Sequence, residues 1–384
     1  MIGGFIYAWH QFRYTLFMRW ICILLLAALK THLRHPSYQI QQDFALVHAS
    51  DKYCCPSLFE KIFFGSNYRK EWGTIVKVPV FDIGKTNFRV AEIGGGQQTT
   101  SLELIDDKNR EWVLRSIDKN VKPGSKFTNN KIIRYIVQDH ISGAYPYAGL
   151  SVPDIAHAAR VPAGEQYLYF VPNDSAFGEY RSAMANKVFM LVNKQTAEEK
   201  GITTDEMLEK LQTDKQYSVD AKEYLRARLI DWLVADWDRH DEQWRWIEKK
   251  TDSGIVFYVV PQDRDQAFFR SNGLLMKFFG SFIIPHFDKF NRNAKGIKHL
   301  SKKSWALDKQ LLGSLNKTDW ETITREFQEN ISDSVLVSAI RKQPPEIFAI
   351  RGNELIEKLK SRRHGLLKQA MKYYSFLNRF SSNN

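Results

Sequence analysis

The order of extended and helical patterns along the chain is the feature that most restricts its fold. Short segments rich in β-branched and aromatic residues follow one another between residues 76 and 172, whereas helical spacing of apolar residues dominates the remainder. A β-rich half followed by an α-rich half is typical of α+β proteins. The pattern therefore predicts a bilobal α+β fold, with an antiparallel β-rich front lobe, a helical back lobe and a cleft between them.

The composition agrees with this size and class. The 384 residues are 43 % hydrophobic and 26 % charged, which suits two or three globular domains or one bilobal domain. A wholly disordered chain and a membrane protein with many spans are both excluded. Of the three cysteines, Cys54 and Cys55 are adjacent, so free thiols are expected rather than a disulfide framework.

The front half is predicted to begin with a three-stranded meander. Residues 90–93, 101–105 and 112–116 alternate in the way that half-buried strands do. A glycine loop at 94–96 joins the first pair, and the polar turn 106–109 joins the second. Further elements predicted in this half are an extended segment over 76–80, a helix over 130–143 and a strand over 167–171.

The back half is predicted to be mainly helical. Thr203 and Glu206 form a capping-box pattern that opens a helix ending near Leu211. An apolar stripe predicts a longer helix that runs into Trp237. Residues 255–260 predict a strand that ends at a proline.

The amino terminus indicates export. The apolar run Trp20–Leu29 is flanked by basic residues and is too short to cross a bilayer, but it suits the core of a signal peptide. Residues 1–35 are therefore predicted to be a signal peptide or an uncleaved membrane anchor through residues 15–30. The expected location is the periplasm or the cell envelope. An amphipathic helix packed on the domain is the alternative interpretation.

Charge is distributed unevenly along the chain. Most of the net charge of +12 arises between Ser281 and Asn384. A basic surface of this kind is either simply solvated or faces phosphate-bearing substrates or an anionic membrane surface. The sequence has no zinc-finger spacing, no RNA-binding aromatic motif and no Arg-rich arm, so nucleic acid is not expected as a partner.

Two acidic clusters carry the strongest functional signal. The first, Asp236–Trp244, follows the predicted long helix, and the second, Asp263–Phe269, follows a predicted strand. Phosphoryl-transfer enzymes place a catalytic carboxylate and metal-binding side chains in such positions. Asp238 and Gln243 reproduce the Asp-x₄-Asn spacing of kinase catalytic loops, with Gln in place of Asn.

Specific roles follow from this spacing. Asp238 is the candidate base, and Arg239 and His240 complete the candidate catalytic group. Gln243 and Asp263 are candidate ligands of Mg²⁺ or Mn²⁺, with Asp265 as the competitor of Asp263. The alternative interpretations are a structural Asp238–Arg239 ion pair, a packing role for His240 and a solvated charge run at 263–265. A metallohydrolase built on Asp236, Asp238 and His240 has too few histidines nearby.

The front half supplies candidate nucleotide-binding residues. Backbone N–H groups of a glycine-rich loop can lie over phosphates, and the residues concerned are Gly94, Gly95, Gly96, Gln97 and Thr99. Arg115 stands in the third strand, where kinases place a phosphate-pairing Lys, and Lys119 is the alternative cation. Asp139 on the following helix is the candidate partner of that cation. The alternative interpretation of the glycine loop is a flexible hairpin without a ligand.

Several segments resemble a known family, the kinase-like domain of Bacteroidetes outer-membrane proteins, in which it is commonly fused to a metallophosphatase domain and a surface-antigen-type β-barrel. The segments that carry the resemblance are Phe63–Trp72 (FFGSNYRKEW), Val76–Ile83, Gly94–Leu104 (GGGQQTTSLEL), Trp112–Asn120 (WVLRSIDKN), Gln138–Tyr147, Asp236–Trp246 and Lys358–Leu377. The catalytic segments are more remotely similar to those of HipA-type, secretory-pathway and phosphatidylinositol kinases. The chain looks like a stand-alone version of the domain.

The resemblance implies a kinase fold but does not establish an activity. Together with the two acidic clusters it gives two hypotheses. The first is an exported phosphotransferase that uses ATP with Mg²⁺ or Mn²⁺ on a protein, glycan or lipid acceptor. The second is a non-catalytic module in envelope or outer-membrane assembly, with a β-barrel or an anionic membrane surface as its partner. The order of patterns along the chain predicts the lobe boundaries: an extension over 36–75, a β-rich lobe over 76–172 and a helical lobe with basic carboxy-terminal helices over 173–384. Arg115 for Lys and Gln243 for Asn depart from kinases and are compatible with a pseudokinase as well as with an active enzyme.

Overall fold

The computed structural model describes residues 38–94, 99–124, 129–194, 201–274 and 290–379. The predicted leader and the glycine-loop residues Gly95, Gly96 and Gln97 lie outside these ranges. Within the ranges, none of the helices is both long enough and apolar enough to cross a membrane.

A small antiparallel sheet opens the described chain. It consists of β1 (Gln39–Gln41), β2 (Phe44–Val47) and β3 (Val76–Pro79), in that order. Two short helices, α1 (Leu58–Phe63) and α2 (Arg69–Gly73), lie between the second and third strands. The extended segment predicted over 76–80 is thus confirmed as β3.

The main sheet of the front lobe has five antiparallel strands in the order β4-β5-β6-β8-β7. Its strands are β4 (Arg89–Gly94), β5 (Ser101–Ile105), β6 (Glu111–Ser116), β7 (Gln166–Val171) and β8 (Lys187–Asn193). The first three strands confirm the predicted meander. One face is packed on its own apolar core, which includes Leu102, Leu104 and Leu114.

Strand β8 was not predicted from the sequence, although it pairs with both β6 and β7. It lies beyond the expected lobe boundary at residue 172 yet belongs to the front sheet. Four consecutive residues of this strand, Val188–Leu191, are buried. A continuous apolar run of this length does not alternate, so its periodicity does not distinguish a central strand from a buried helix.

Two helices lie beside the main sheet. Helix α3 (Lys131–His140) begins at Asn130, whose side chain accepts from the N–H groups of Ile132 and Ile133. The helix predicted over 130–143 is confirmed, but its last residues form a separate 3₁₀ turn over Ile141–Gly143. Helix α4 (Ala148–Ala158) was not predicted.

The back lobe is mainly helical. Its helices are α6 (Thr204–Thr213), α7 (Ala221–Val234), α8 (Ile297–Leu300), α9 (Trp305–Leu312), α10 (Lys317–Asn330), α11 (Asp333–Arg341), α12 (Pro345–Ile347) and α13 (Asn353–Arg379). The short helix α5 (Arg181–Met184) instead connects β7 to β8, and its Met184 is buried in the apolar core of the main sheet. The capping box predicted at Thr203 and Glu206 is present. Helix α7 is buried along most of its length and is the centre of this lobe.

A third sheet joins the two acidic clusters. Strands β9 (Tyr217–Val219), β10 (Trp244–Thr251) and β11 (Gly254–Pro261) form it in the order β10-β11-β9. Strands β10 and β11 form an antiparallel hairpin in which Trp244 is opposite Pro261. The hairpin therefore brings the residues just before β10 beside those just after β11. Strand β10 was not predicted, whereas β11 confirms the strand expected over 255–260.

Candidate functional site

The first acidic cluster begins with a sharp turn at the end of α7. The helix ends at Val234 because Ala235 adopts a left-handed backbone with φ 56°, so the prediction that it continues to Trp237 is wrong. Asp236 is buried, and its Oδ1 accepts a hydrogen bond from the Asp238 N–H at 3.0 Å. The turn thus directs the chain into the loop Asp238–Gln243, named here the acidic loop.

Arg239 supports the acidic loop from beneath and is not in the cleft. Its side chain is fully buried and donates to the Asp231 carboxylate at 3.1 Å. The same guanidinium donates to the carbonyl oxygens of Gln243 at 3.1 Å and Gln262 at 2.6 Å. The prediction of a direct catalytic role is corrected accordingly, because every one of these contacts is made within the protein interior. Arg239 is a positioning residue.

Asp231 is the centre of a buried ion network. Besides Arg239, it accepts hydrogen bonds from Arg228 at 2.8 Å and from Arg264 at 2.9 Å. Burial opposes ionisation of this carboxyl, but the three guanidinium groups lower its pKa to about 2. Asp231 therefore stays ionised at neutral pH and holds α7, the acidic loop and the segment after β11 together.

Asp238 faces a different cation. Its Oδ1 forms an ion pair with the ammonium group of Lys303 at 2.5 Å, and the Asp238 side chain remains 27 % exposed. Lys303 lies just before α9, and its neighbour Ser304 donates to the Arg239 carbonyl at 2.7 Å. Sequence reasoning missed Lys303, since the only signal was a pair of lysines in a generally basic region.

The second acidic cluster faces the main sheet. Arg115 of β6 contacts Asp263 at 2.7 Å and Asp265 at 3.7 Å, and Lys119 forms an ion pair with Asp265. Burial would raise the pKa of Asp265, but Lys119 and Arg115 lower it below its ordinary value. Both acidic residues and both cations therefore lie at the same point between the lobes.

The backbone at Asp263 is unusual. Its φ is 30°, in the left-handed region that non-glycine residues seldom adopt. Its own Oδ1 accepts a hydrogen bond from the Asp265 N–H at 3.1 Å, which stabilises the tight turn. Such strain is found most often at functional sites. The turn directs the carboxylates of Asp263 and Asp265 toward the cations of the main sheet.

Asp139 does not pair with Arg115. Both of its oxygens accept from Arg69 of α2, at 2.8 and 2.6 Å, in a buried pair. Burial raises the pKa of Asp139 to about 6 in spite of that guanidinium. The predicted partnership is therefore wrong, because α3 presents Asp139 to α2 and not to the cleft.

Gln138 of helix α3, and not Asp139, contacts the segment that carries Lys119. The Gln138 side chain donates to the Lys119 carbonyl and accepts from the Val121 N–H, both at 2.8 Å. It also donates to the Tyr53 hydroxyl at 2.7 Å. Sequence reasoning missed this neutral side chain, since an amide gives no charge signal.

Gln243 and His240 complete the acidic loop. The Gln243 Oε1 atom is buried and has no hydrogen-bond partner among the residues that the structure describes. A buried acceptor without a partner is costly in water-free surroundings, and a cation is one ligand that would satisfy it. The His240 side chain is 33 % exposed and lies 4.0 Å from Glu242.

The glycine-loop region is described only at its ends. Gly94 pairs with Ser101 in the sheet, and Thr99 is buried. The Thr100 N–H donates to the Ser116 hydroxyl at 3.1 Å. These contacts place Thr100 beside Ser116 at the carboxyl end of β6, one residue from Arg115, whereas Gly94 lies two strands from β6, on β4.

A cavity of about 300 Å³ lies between the lobes next to these charges. Val113 and Arg115 line it together because alternate residues of β6 share a face. Its apolar lining also includes Ile117, Val152, Met190 and Val192, and its charged end is formed by Arg115, Lys119, Asp263 and Asp265. An apolar pocket with convergent charges at one end is suited to a ligand with an apolar part and an ionised part.

Comparisons with known proteins find a remote likeness to several solved structures. No protein-family model and no curated protein matches the chain. The Helicobacter pylori proinflammatory kinase CtkA is 10 % identical, with a TM-score of 0.44, over 77 % of this chain and 99 % of that one. The Golgi casein kinase is 10 % identical, with a TM-score of 0.35, over 78 % of this chain and 74 % of that one.

A further solved structure, the Rio2 kinase-ADP/Mg²⁺-phosphoaspartate complex from Chaetomium thermophilum, is 16 % identical. Its TM-score is 0.27, and the match covers 64 % of this chain and 74 % of that one. The chain's own topology sets a five-stranded antiparallel sheet against a helical lobe, with the charged residues described above between them. The protein therefore has a bilobal α+β fold, with an antiparallel β-rich lobe and a helical lobe.

Proposed function

We propose that the protein is an exported kinase-like phosphotransferase that uses ATP and Mg²⁺ or Mn²⁺ and acts on a protein, glycan or lipid acceptor. One observation carries the proposal: Arg115 and Lys119 of the front lobe meet Asp263 and Asp265 of the back lobe at the charged end of the interlobe cavity. Phosphoryl transfer needs cations for phosphate and carboxylates for a metal ion at one point.

The residues present are suited to the metal ion. Asp263 and Asp265 offer two partly exposed carboxylates, and Gln243 offers a buried oxygen without a partner in the described part of the chain. Oxygen ligands of this kind, together with phosphate oxygens, are what Mg²⁺ prefers. The bound ion would supply positive charge that neutralises the transferred phosphoryl group.

Asp238 would act as the base. Its carboxylate accepts the proton of the acceptor hydroxyl, whose oxygen bonds to the γ-phosphorus as the bond to the β–γ bridging oxygen breaks and ADP leaves. Arg115 and Lys119 would orient the phosphates, since their present partners are carboxylates and the exchange of one anion for another conserves the ion pairs.

Titration calorimetry with ATP and Mg²⁺, combined with a turnover assay, tests these roles. Asp238→Asn keeps the shape of the side chain and should retain nucleotide affinity while turnover falls by about 10²-fold or more. Asp263→Asn removes an anionic ligand and should weaken the binding of the metal–nucleotide complex itself.

Glu242→Gln is the matched control, because this residue of the same loop has a side chain that is 92 % exposed. It should change neither quantity. No heat from the wild-type protein under conditions in which it is folded would refute the proposed function.

A non-catalytic kinase-like module in envelope or outer-membrane assembly is the second candidate. One observation favours it: Asp238, Asp263 and Asp265 are each already paired with a cation, so the site is balanced in charge without a ligand. Such a module would act on a β-barrel or an anionic membrane surface through the basic carboxy-terminal helices. It predicts no loss of function in Asp238→Asn, whereas the enzymatic proposal predicts loss.

Export is part of the proposal and rests on the run Trp20–Leu29. The mature chain should begin near residues 29–36 and be found in the periplasm or envelope, or remain attached through residues 15–30. Amino-terminal sequencing and fractionation of protein from its native host test this, and a cytoplasmic chain that begins at Met1 would contradict it.

A further inference from the structure

The acidic loop has no cation of its own available for a phosphoryl group. Its single arginine, Arg239, is fully buried and engaged with Asp231 and two backbone carbonyls. A phosphoryl group in transfer carries negative charge on its peripheral oxygens and is stabilised by cations placed around it. Arg115 and Lys119 lie on the side of the front lobe, so the opposite side needs a cation from elsewhere in the back lobe.

Lys303 is a back-lobe cation beside the proposed base. Its ammonium group contacts the Asp238 carboxylate and lies 5.7 Å from the centre of the Trp237 ring. Its side chain is 33 % exposed, so a ligand can reach it. The segment that carries it is anchored independently, because Ser304 is buried and donates to the Arg239 carbonyl.

We propose that Lys303 is a catalytic residue whose ammonium group bridges Asp238 and the γ-phosphoryl group when nucleotide is bound. This inference rests on the proposed function and names the cation that the acidic loop lacks. An ammonium group has three donors, so it can keep its bond to Asp238 and donate to a phosphate oxygen at the same time.

A purely structural role is the competing explanation, and the contacts argue against it. The backbone of the acidic loop is already held by Arg239, Ser304 and Asp236, through one buried hydrogen bond from Ser304 and two partly buried ones. Partly exposed ion pairs contribute little to stability. Lys303 is therefore not required to hold the loop in place.

The test compares the binding of ATP with that of ADP, which lacks the γ-phosphate. Lys303→Met should leave Mg²⁺–ADP affinity unchanged, weaken Mg²⁺–ATP affinity by about tenfold or more, and lower turnover further. Lys303→Arg should recover part of the ATP affinity, since it restores the charge. Titration calorimetry gives both affinities, and thermal unfolding confirms that each variant is folded.

Lys302→Met is the matched control, because Lys302 is the exposed neighbour of Lys303 and forms no ion pair with the residues that the structure describes. It should bind both nucleotides as the wild type does. Equal losses for ADP and ATP in Lys303→Met, or no loss for either, would overturn the assignment. Failure of the wild type to bind ADP and ATP would instead refute the proposed function, so the two failures are distinct.

Discussion

Two ion networks near the acidic loop differ in burial. In the first, named here the lower network, Asp231 binds Arg228, Arg239 and Arg264, and the side chain of Asp231 is 0 % exposed. In the second, named here the upper network, Arg115 pairs with Asp263 across the cleft, and their side chains are 35 % and 24 % exposed. The lower network is inaccessible to a ligand, whereas the upper one can exchange partners with it.

The difference has a physical cause. A charge removed from water loses its hydration, so a buried ion must keep its partners, while a partly exposed ion can be rehydrated or bind another counter-ion. The lower network therefore supports the loop, and the upper network is suited to binding. The predictions below test this contrast from the largest expected effect to the smallest.

Asp231→Asn should produce the largest effect. It leaves three buried guanidinium groups without their common anion, and breaking a buried pair in this way costs about 3–5 kcal/mol of folding free energy. Urea-induced unfolding measures the loss.

Asp333→Asn is the matched control for this variant. Asp333 also has two basic partners, Lys360 at 3.0 Å and Arg363 at 2.8 Å, but its side chain is 57 % exposed. Its replacement should leave the urea midpoint nearly unchanged. Similar losses of folding free energy in the two variants would show that burial does not determine how much an ion pair of this protein contributes to stability.

Asp236 lies between the two networks and gives a prediction about pH. Burial raises its pKa to about 7 in the folded protein. Because its ordinary value is near 4, the folded state binds more protons than the unfolded state between about pH 4 and pH 7. The free energy of unfolding of the wild type should therefore fall relative to Asp236→Asn as pH rises through that window, by up to about 1.4 kcal/mol per pH unit.

Urea unfolding of both proteins at several pH values measures this difference. Asn keeps an oxygen that can accept from the Asp238 N–H, so the turn itself should persist in the variant. A constant difference between the two proteins across the window would mean that the Asp236 carboxyl keeps its ordinary pKa.

Arg115→Met should have the smallest effect on stability. A partly exposed ion pair contributes about 0–1 kcal/mol, so the urea midpoint should scarcely move. The affinity for Mg²⁺–ATP should nevertheless fall by about tenfold or more if Arg115 binds phosphate. Arg115→Lys keeps the charge and should retain most of that affinity. A large loss of stability in Arg115→Met would place this residue with the lower network.

Much of the fold was predictable because its signals are local. The meander over β4 to β6, helix α3 and the capping box at Thr203 all follow from residues within one turn or one strand. Strand β8 was missed because its buried run does not alternate. Helix α7 was predicted too long because an alanine, such as Ala235, gives no sequence signal for the left-handed backbone that ends the helix.

The residue types of the candidate site were predictable, but the ion pairs that these residues form were not. Spacing along the chain identified Asp238, Asp263, Asp265, Arg115 and Lys119 as charged groups near element ends. It assigned Arg115 to Asp139, whereas Asp139 is paired with Arg69. The spacing also placed Arg239 with the catalytic residues. An Arg next to an Asp in the sequence gives the same signal whether its side chain lies in a cleft or in the protein interior.

What the sequence determined by itself was a β-rich part followed by a helical part, the α+β class and the two acidic clusters, because short-range periodicity and turn chemistry are encoded in neighbouring residues. The tertiary structure alone decided which charges meet. Lys303 reaches Asp238 across 65 positions of sequence, and Arg115 reaches Asp263 across 148. It also decided which ions are buried, and burial rather than residue type separates the ions that hold this protein together from those that can bind a ligand.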